Sequence, residues 1–305
     1  MPAPEQTSGR HRPSRVLALF GPTASGKTAV AGILRERLGA EVISCDSAAL
    51  YAGLPVITAA PDYPAKLVGV VPLDEDVSVG WFQREAHAAI DEADLPLVVG
   101  GTGLYFRAAL SSLDLPPAVP ERRDHWQAEY DRLGPEAAHA LLAEADPAAA
   151  ERVHANDRKR VVRALELAEA GASLAPEHDR LWTDDTRLPT TIVALDVPLD
   201  ELDRRIEART GAMVEAGAVE EAKRAWEGPL SETARKVLGL EQFATLPVDE
   251  AIDAVTQSTR RLARYQRKWL RRIPEVVTLD ATRPAAEVAD EIIALGRARE
   301  RLSGH

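Results

Sequence analysis

The sequence predicts an α/β protein: a parallel sheet with helices on both faces and a helical insertion between two of its strands. Three observations carry this prediction. Short apolar runs of strand length recur along the chain, and helical spacings fall between them. A glycine-rich loop, Gly21-Pro22-Thr23-Ala24-Ser25-Gly26-Lys27-Thr28, joins the first run to the first helix. It matches G-x-x-x-x-G-K-[ST], the P-loop, so a P-loop NTPase-like core is expected.

The elements follow in order. Arg15–Phe20 is the first apolar run, and Ala29–Leu38 after the loop has Val30, Ile33, Leu34 and Leu38 at helical spacing. Further buried parallel strands are expected at Glu41–Cys45, Leu95–Gly100, Thr191–Val197 and Glu275–Leu279. Ser78–Asp94 reads as a helix capped by Ser78. Asp200–Ala216 reads as a helix capped by Asp200, with Leu202, Ile206 and Met213 on one face. The interval 113–180 is too long for one crossover. It holds helical patterns at about Pro120–Leu133, Pro135–Ala145 and Asn156–Ala170, which read as an inserted lid or substrate clamp. The expected organisation is a disordered tail over 1–14, a core of 15–112 and 181–305, and the insertion at 113–180.

Composition narrows the function classes. With 305 residues, 45% apolar and 28% charged, the chain can build a sizeable core and suits a water-exposed protein. No apolar run reaches the ~20 residues that cross a bilayer, and the polar start Met1–Ser14 is not a signal peptide. Cys45 is the single cysteine, which excludes an internal disulfide. A cytoplasmic monomer without a membrane partner is the expectation. The net charge of −11 is the wrong sign for a general nucleic-acid binder. The charge is uneven, however. Thr256–Ile273 carries seven positive residues and no acid. As a helix it would show an apolar stripe, Leu262, Tyr265, Trp269 and Ile273, beside a cationic one, Arg260, Arg264, Arg267 and Arg271. Cations so crowded favour an anionic partner, either substrate phosphate or a nucleic-acid backbone.

The chemistry points to a diphosphate or polyphosphate ligand. Backbone N–H groups of the loop and the following helix N-terminus would surround the phosphates, Lys27 adds a point charge, and the Thr28 hydroxyl can hold Mg²⁺. The second strand ends at Asp46, at the sheet edge where ligands sit, placed to accept a proton or help hold a metal; the alternative is an Asp that caps the next turn. The third strand ends in Gly100-Gly101-Thr102-Gly103-Leu104-Tyr105, where glycines allow close backbone approach to a ligand and Thr102 supplies a hydroxyl. That strand lacks the acidic residue of an ATPase.

These blocks together resemble the tRNA dimethylallyltransferases, also called tRNA isopentenyltransferases. The resemblance runs from Val16 to about Asp280. It rests on GPTASGKT (21–28), EVISCDSAALY (41–51), VVGGTGLYFRAAL (98–110), DPAAAERVHANDRKRVVRALE (146–166), RIEARTGAMVEAGAVEEAKRA (205–225), TARKVLGLEQ (233–242) and TRRLARYQRKWLRR (259–272). It implies that an adenine N6 next to a tRNA anticodon attacks C1 of dimethylallyl diphosphate and diphosphate leaves. Residues Gly21, Pro22, Thr23, Ala24, Ser25, Gly26, Lys27 and Thr28 would bind the diphosphate, with Mg²⁺ on Thr28. Asp46 would take the N6 proton, and Thr102 and Arg123 would orient the base or the leaving group. Contacts with tRNA are implied for Asp46, Ser47, Ala48, Ala49, Thr102, Arg123, Arg260, Arg264, Gln266 and Arg267. The insertion would clamp the tRNA, and the target base would be extruded from its stack.

The chain departs from the family pattern in places. Ile57-Thr58-Ala59-Ala60-Pro61 has Ala where a Lys is common, Pro64-Ala65-Lys66-Leu67 replaces a His-His pair, and Arg264-Tyr265-Gln266 stands for the family's KRQ. Three other readings compete. A small-metabolite or nucleotide kinase leaves the GGTGLY block and the basic helix unexplained. An AMP prenyltransferase shares the chemistry, yet needs neither the insertion nor the arginines. A non-catalytic regulatory or RNA-binding protein is disfavoured by Asp46 beside an intact P-loop.

Overall fold

The computed structural model describes residues 13–115, 120–175 and 183–303; most of the expected tail, 1–12, lies outside them. The chain forms two compact units, Met1–Ser112 with Trp182–His305, and Leu113–Leu181.

In the first unit the chain runs through β1 (Val16–Phe20), α1 (Lys27–Leu38), β2 (Glu41–Ser44), β3 (Ala65–Lys66), α2 (Val79–Glu92), β4 (Pro96–Gly100) and α3 (Gly103–Leu110). The insertion holds α4 (Pro120–Leu133), α5 (Pro135–Ala145), α6 (Pro147–Arg152) and α7 (Arg158–Glu169). The chain then returns through β5 (Thr190–Asp196), α8 (Leu199–Glu215), α9 (Ala218–Trp226), α10 (Leu240–Thr245), α11 (Val248–Leu270), β6 (Val277–Asp280) and α12 (Ala285–Ser303).

The strands form a six-stranded parallel sheet in the order β3-β2-β4-β1-β5-β6. β1 is central, paired with β4 through Phe20 and Gly100 and with β5 through Phe20 and Ala194. Its near-continuous apolar run suits a strand covered on both faces. Alternation along it assigns the faces. Leu19 packs with Leu34 of α1, Leu202 of α8 and Val288 and Ile292 of α12, whereas the Phe20 ring meets Phe106 of α3 edge-on at 5.0 Å. The carboxyl ends of β1, β2, β4 and β5 therefore share one edge of the sheet, which is where the P-loop sits.

Several boundaries differ from the sequence expectation for local reasons. Ser78 does cap α2, accepting from Trp81 N at 3.1 Å. Asp200 does not cap α8: Pro198 holds that position, and Asp200 and Glu201 lie in the first turn, where carboxylates suit the helix dipole. The last strand begins at Val277, because Pro274 and the left-handed Glu275 (φ 52°) interrupt the extended backbone. β3 has two residues and no apolar run, so no pattern announced it. In the insertion, Asp146 accepts from Ala149 N at 3.0 Å and starts α6, a helix the apolar spacing did not reveal. Asp157 caps α7 through Arg160 N, so that helix begins at Arg158, not Asn156. Leu142, Val161, Ala164 and Leu165 form a core of the insertion's own.

The long helix α11 turns a face of mostly small side chains inward. Its buried residues are Ala251, Val255, Thr256, Thr259, Ala263 and Gln266. The apolar stripe read from the sequence is split: Leu262 and Tyr265 are 37% and 56% exposed, and Ile273 is buried beyond the helix end. Small side chains at 251, 255, 259 and 263 let α11 lie close to its neighbours, an effect that outweighs the larger but scattered apolar groups.

The two segments bordering the insertion are fastened to each other by Arg107, which is fully buried. Its guanidinium donates to the carbonyls of Thr183 (2.8 Å) and Asp185 (3.3 Å), while Ser111 Oγ donates to Asp185 O at 2.7 Å. We expect Arg107→Leu, which leaves those carbonyls short of a donor, to lower the unfolding free energy by about 1–3 kcal/mol in urea denaturation; an unchanged midpoint would show that the clamp contributes nothing.

Candidate active site

The P-loop leaves β1 at Gly21, whose N–H reaches Gly100 O of β4 at 3.3 Å. A side chain at Gly21 would strike Ser25 Oγ at 2.7 Å, so glycine is required for the turn to close. Ala24 (φ 63°) and Gly26 (φ 89°) are left-handed, a backbone alternation that turns successive N–H groups toward one concavity. Ser25 Oγ is buried and has no hydrogen-bond partner among the described residues. Lys27 lies at the start of α1 with its Nζ donating to Pro22 O at 2.7 Å. Burial pushes its pKa down to about 8; Asp46 opposes the shift and Arg209 adds to it.

Arg209 of α8 is the residue that sequence reasoning missed. It makes no hydrogen bond or ion pair with the described residues, and its buried Nε has no partner. Burial depresses its pKa and Asp46 counters that. Two largely desolvated cations thus share one carboxylate as their common counter-charge. The available signal was its place in the RIEARTGAM block, but an Arg on a helix gives no sign of where it points.

Asp46 lies just past β2. Its Oδ1 accepts from Ala48 N at 2.9 Å, so it caps the next turn as the plain alternative foresaw. Its second oxygen has no partner among the described residues and is free to accept. Ser47 and Ala48 are half-buried beside it. Ala49 is not available to a macromolecule: it is 5% exposed and its carbonyl holds Gly69 N. The neighbouring Cys45 thiol is buried, and burial together with Asp46 raises its pKa, so it stays protonated. Thr102 precedes α3, half-exposed, with a hydroxyl that makes no hydrogen bond among the described residues.

The glycines around Thr102 serve packing, not ligand approach as expected. A Cβ at Gly101 would lie 2.6 Å from Gly21 O and 2.7 Å from Gln266 Nε2; one at Gly103 would lie 2.0 Å from the Trp269 ring. Gln266, 5% exposed, accepts from Thr23 N at 2.7 Å through Oε1. It joins α11 to the P-loop, which corrects the expectation of an RNA-facing side chain.

The arginine stripe of α11 is not short of acids either. Arg260 pairs with Asp203 (3.7 Å) and Glu207 (2.9 Å), Arg264 with Asp203 (2.7 Å), and Arg267 with Asp196 (3.0 Å). These carboxylates come from β5 and α8, far away in sequence. Within the insertion, Arg123 faces the buried Glu166 at 3.5 Å, and Arg163 holds the same carboxylate at 2.6 Å.

The family model for IPP transferase matches residues 49–273. The chain belongs to the IPP transferase family. It is 39% identical to a tRNA dimethylallyltransferase of Kineococcus radiotolerans, over 94% of this chain and 96% of that protein. It is 38% identical to one of Acidothermus cellulolyticus, over 90% of this chain and 92% of that protein. Among solved structures it is similar to the tRNA isopentenylpyrophosphate transferase of Bacillus halodurans, with TM-score 0.68 and 29% identity over 96% of this chain and all of that one. A eukaryotic dimethylallyltransferase shares the fold, with TM-score 0.72, 23% identity and coverage of 88% and 74%. The IPP transferase fold is therefore the α/β parallel sheet described above. No helix among the described residues is long and apolar enough to cross a membrane.

Two predictions follow from the geometry. Lys27 is cationic below its pKa of about 8 and neutral above it. An anion that needs this charge should bind more weakly as pH rises through about 8. Titration calorimetry with inorganic diphosphate should show this decline, and Lys27→Met should abolish the inflection. Gly103→Ala drives a methyl group into Trp269 and should cost about 1–3 kcal/mol of stability; Gly211→Ala, which meets nothing within 4 Å on α8, should be neutral or slightly stabilising in the same denaturation assay.

Proposed function

We propose that this protein transfers a dimethylallyl group from dimethylallyl diphosphate to N6 of the tRNA adenosine next to the anticodon. The observation that carries the proposal is the arrangement of Lys27 and Arg209 about Asp46 beside the P-loop. Two desolvated cations and a ring of loop N–H groups suit a diphosphate, and one carboxylate oxygen without a partner suits a base. The names of the relatives agree with this acceptor and this donor.

The reaction is a displacement. The adenine N6 lone pair forms a bond to C1 as the C1–O bond breaks, the electron pair leaves on diphosphate, and the N6 proton passes to Asp46. Charge develops on the bridging oxygen, so donors fixed around the diphosphate stabilise the transition state more than the bound substrate. Lys27, Arg209 and the loop N–H groups not already engaged among the described residues, those of Ala24, Gly26, Lys27 and Thr28, are those donors. Thr102 orients the base or the leaving group, and Ser47 and Ala48, which follow Asp46 in the chain, contact the tRNA.

A divalent ion fits this donor set as a partner of the ligand. The described residues hold no cluster of three or more His, Cys, Asp or Glu, but the exposed Thr28 hydroxyl makes no hydrogen bond at the first turn of α1. Mg²⁺ characteristically takes few protein oxygens and several from phosphate and water. Thr28, with Asp46 nearby, would hold it, and it would supply charge neutralisation for the departing diphosphate.

The test is incubation with Mg²⁺, dimethylallyl diphosphate and either unmodified tRNA or AMP, with nucleosides read by mass spectrometry. Dimethylallyl adenosine in tRNA alone is expected. Product on AMP alone would reassign the acceptor. Asp46→Asn should cut turnover by about 10²–10⁴-fold while tRNA binding persists; unaltered turnover would remove Asp46 from the role of base.

A further inference from the structure

We propose that Tyr265 is a stacking platform for an unpaired base of the acceptor RNA, beside the adenosine that is modified. The inference rests on the tRNA reading above and adds to it a specificity-determining residue. Four observations support it. Tyr265 is the most exposed large apolar side chain among the described residues, at 56%. It stands between Arg264 and Gln266 in a segment rich in cations, so an aromatic face is set among positive charges.

The ring is also aimed along the right surface. Its centroid lies 6.4 Å from that of Trp269, edge-on, and Trp269 packs on Gly103, next to Thr102. One residue along, Gln266 holds the P-loop. The platform is thus continuous with the walls of the active site.

The electrostatics separate this face from its neighbour. Arg260, Arg264 and Arg267 are matched by Asp203, Glu207 and Asp196. The cations flanking Tyr265 have no such match. Among the described residues, Arg261 donates only to Ser258 Oγ, and Lys268 makes no hydrogen bond or ion pair. Arg261, Tyr265 and Lys268 fall at intervals of four and three, on one side of the helix. A polyanion is drawn to the uncompensated side, and there it meets an aromatic ring with Leu262 at its edge. Base–aromatic stacking combined with flanking cations is how extended single strands are held. A base left unstacked when its neighbour is extruded has an open face to offer.

The experiment measures binding of an anticodon stem-loop RNA carrying 2-aminopurine next to the target adenosine, one RNA for each side, over a range of salt. Wild-type protein and Tyr265→Phe should bind alike and change the 2-aminopurine fluorescence on one of the two RNAs. Tyr265→Ala should weaken binding about tenfold at every salt concentration, with an unchanged salt slope and no fluorescence change. Lys268→Ala should instead reduce the slope by about one. Equal affinity for Tyr265→Ala and wild type would overturn the inference, as would a loss that tracks the salt slope. Wild-type protein that fails to bind either RNA while prenylating AMP would overturn the acceptor reading, and the inference with it.

Discussion

Gln266 and Trp269 place one helix against both glycine turns of the site, and the rest of the arrangement depends on that contact. Gln266 accepts from Thr23 N at 2.7 Å, and the Trp269 ring occupies the space a side chain at Gly103 would need. A P-loop and a GGTG turn could each exist alone. Held by the same helix, the two turns are fixed relative to each other, and Thr102 with them. The same helix presents its opposite side outward, so the positions of the P-loop and of the exposed Tyr265 face are mechanically one.

The second constraint is charge. Removing Lys27 and Arg209 from water without a full set of acids is unfavourable, and the depressed pKa of each records that. A ligand carrying several negative charges would relieve it. On α11 the opposite solution is found, with each of three arginines answered by a carboxylate. Paired cations are held in place and offer less to a partner. Uncompensated ones lie where an anion is expected, at the cradle and along the Tyr265 face.

Much of the sheet was legible in the sequence. Its strands are buried on both faces, and continuous apolar runs such as Val16–Phe20 state that directly. The P-loop was legible because its chemistry requires particular residues at particular spacings, and Asp46 because strand ends gather at one edge. The two-residue β3 carried no signal. Arg209 was illegible for another reason: a helix places cations on all sides, and only packing decides which is buried. Counting charge along one segment misjudged α11, since the acids that balance Arg260, Arg264 and Arg267 lie 53, 61 and 71 residues away.

The sequence by itself determined the class of sheet, the phosphate loop and the family, because these rest on local spacing and on residue types no substitute can replace. Only the tertiary structure decided what the glycines of the GGTG turn are for, which face of α11 is buried, and which of its cations have no acid opposite them. Those answers depend on distances between segments remote in the chain, and a short-range pattern carries no record of such distances.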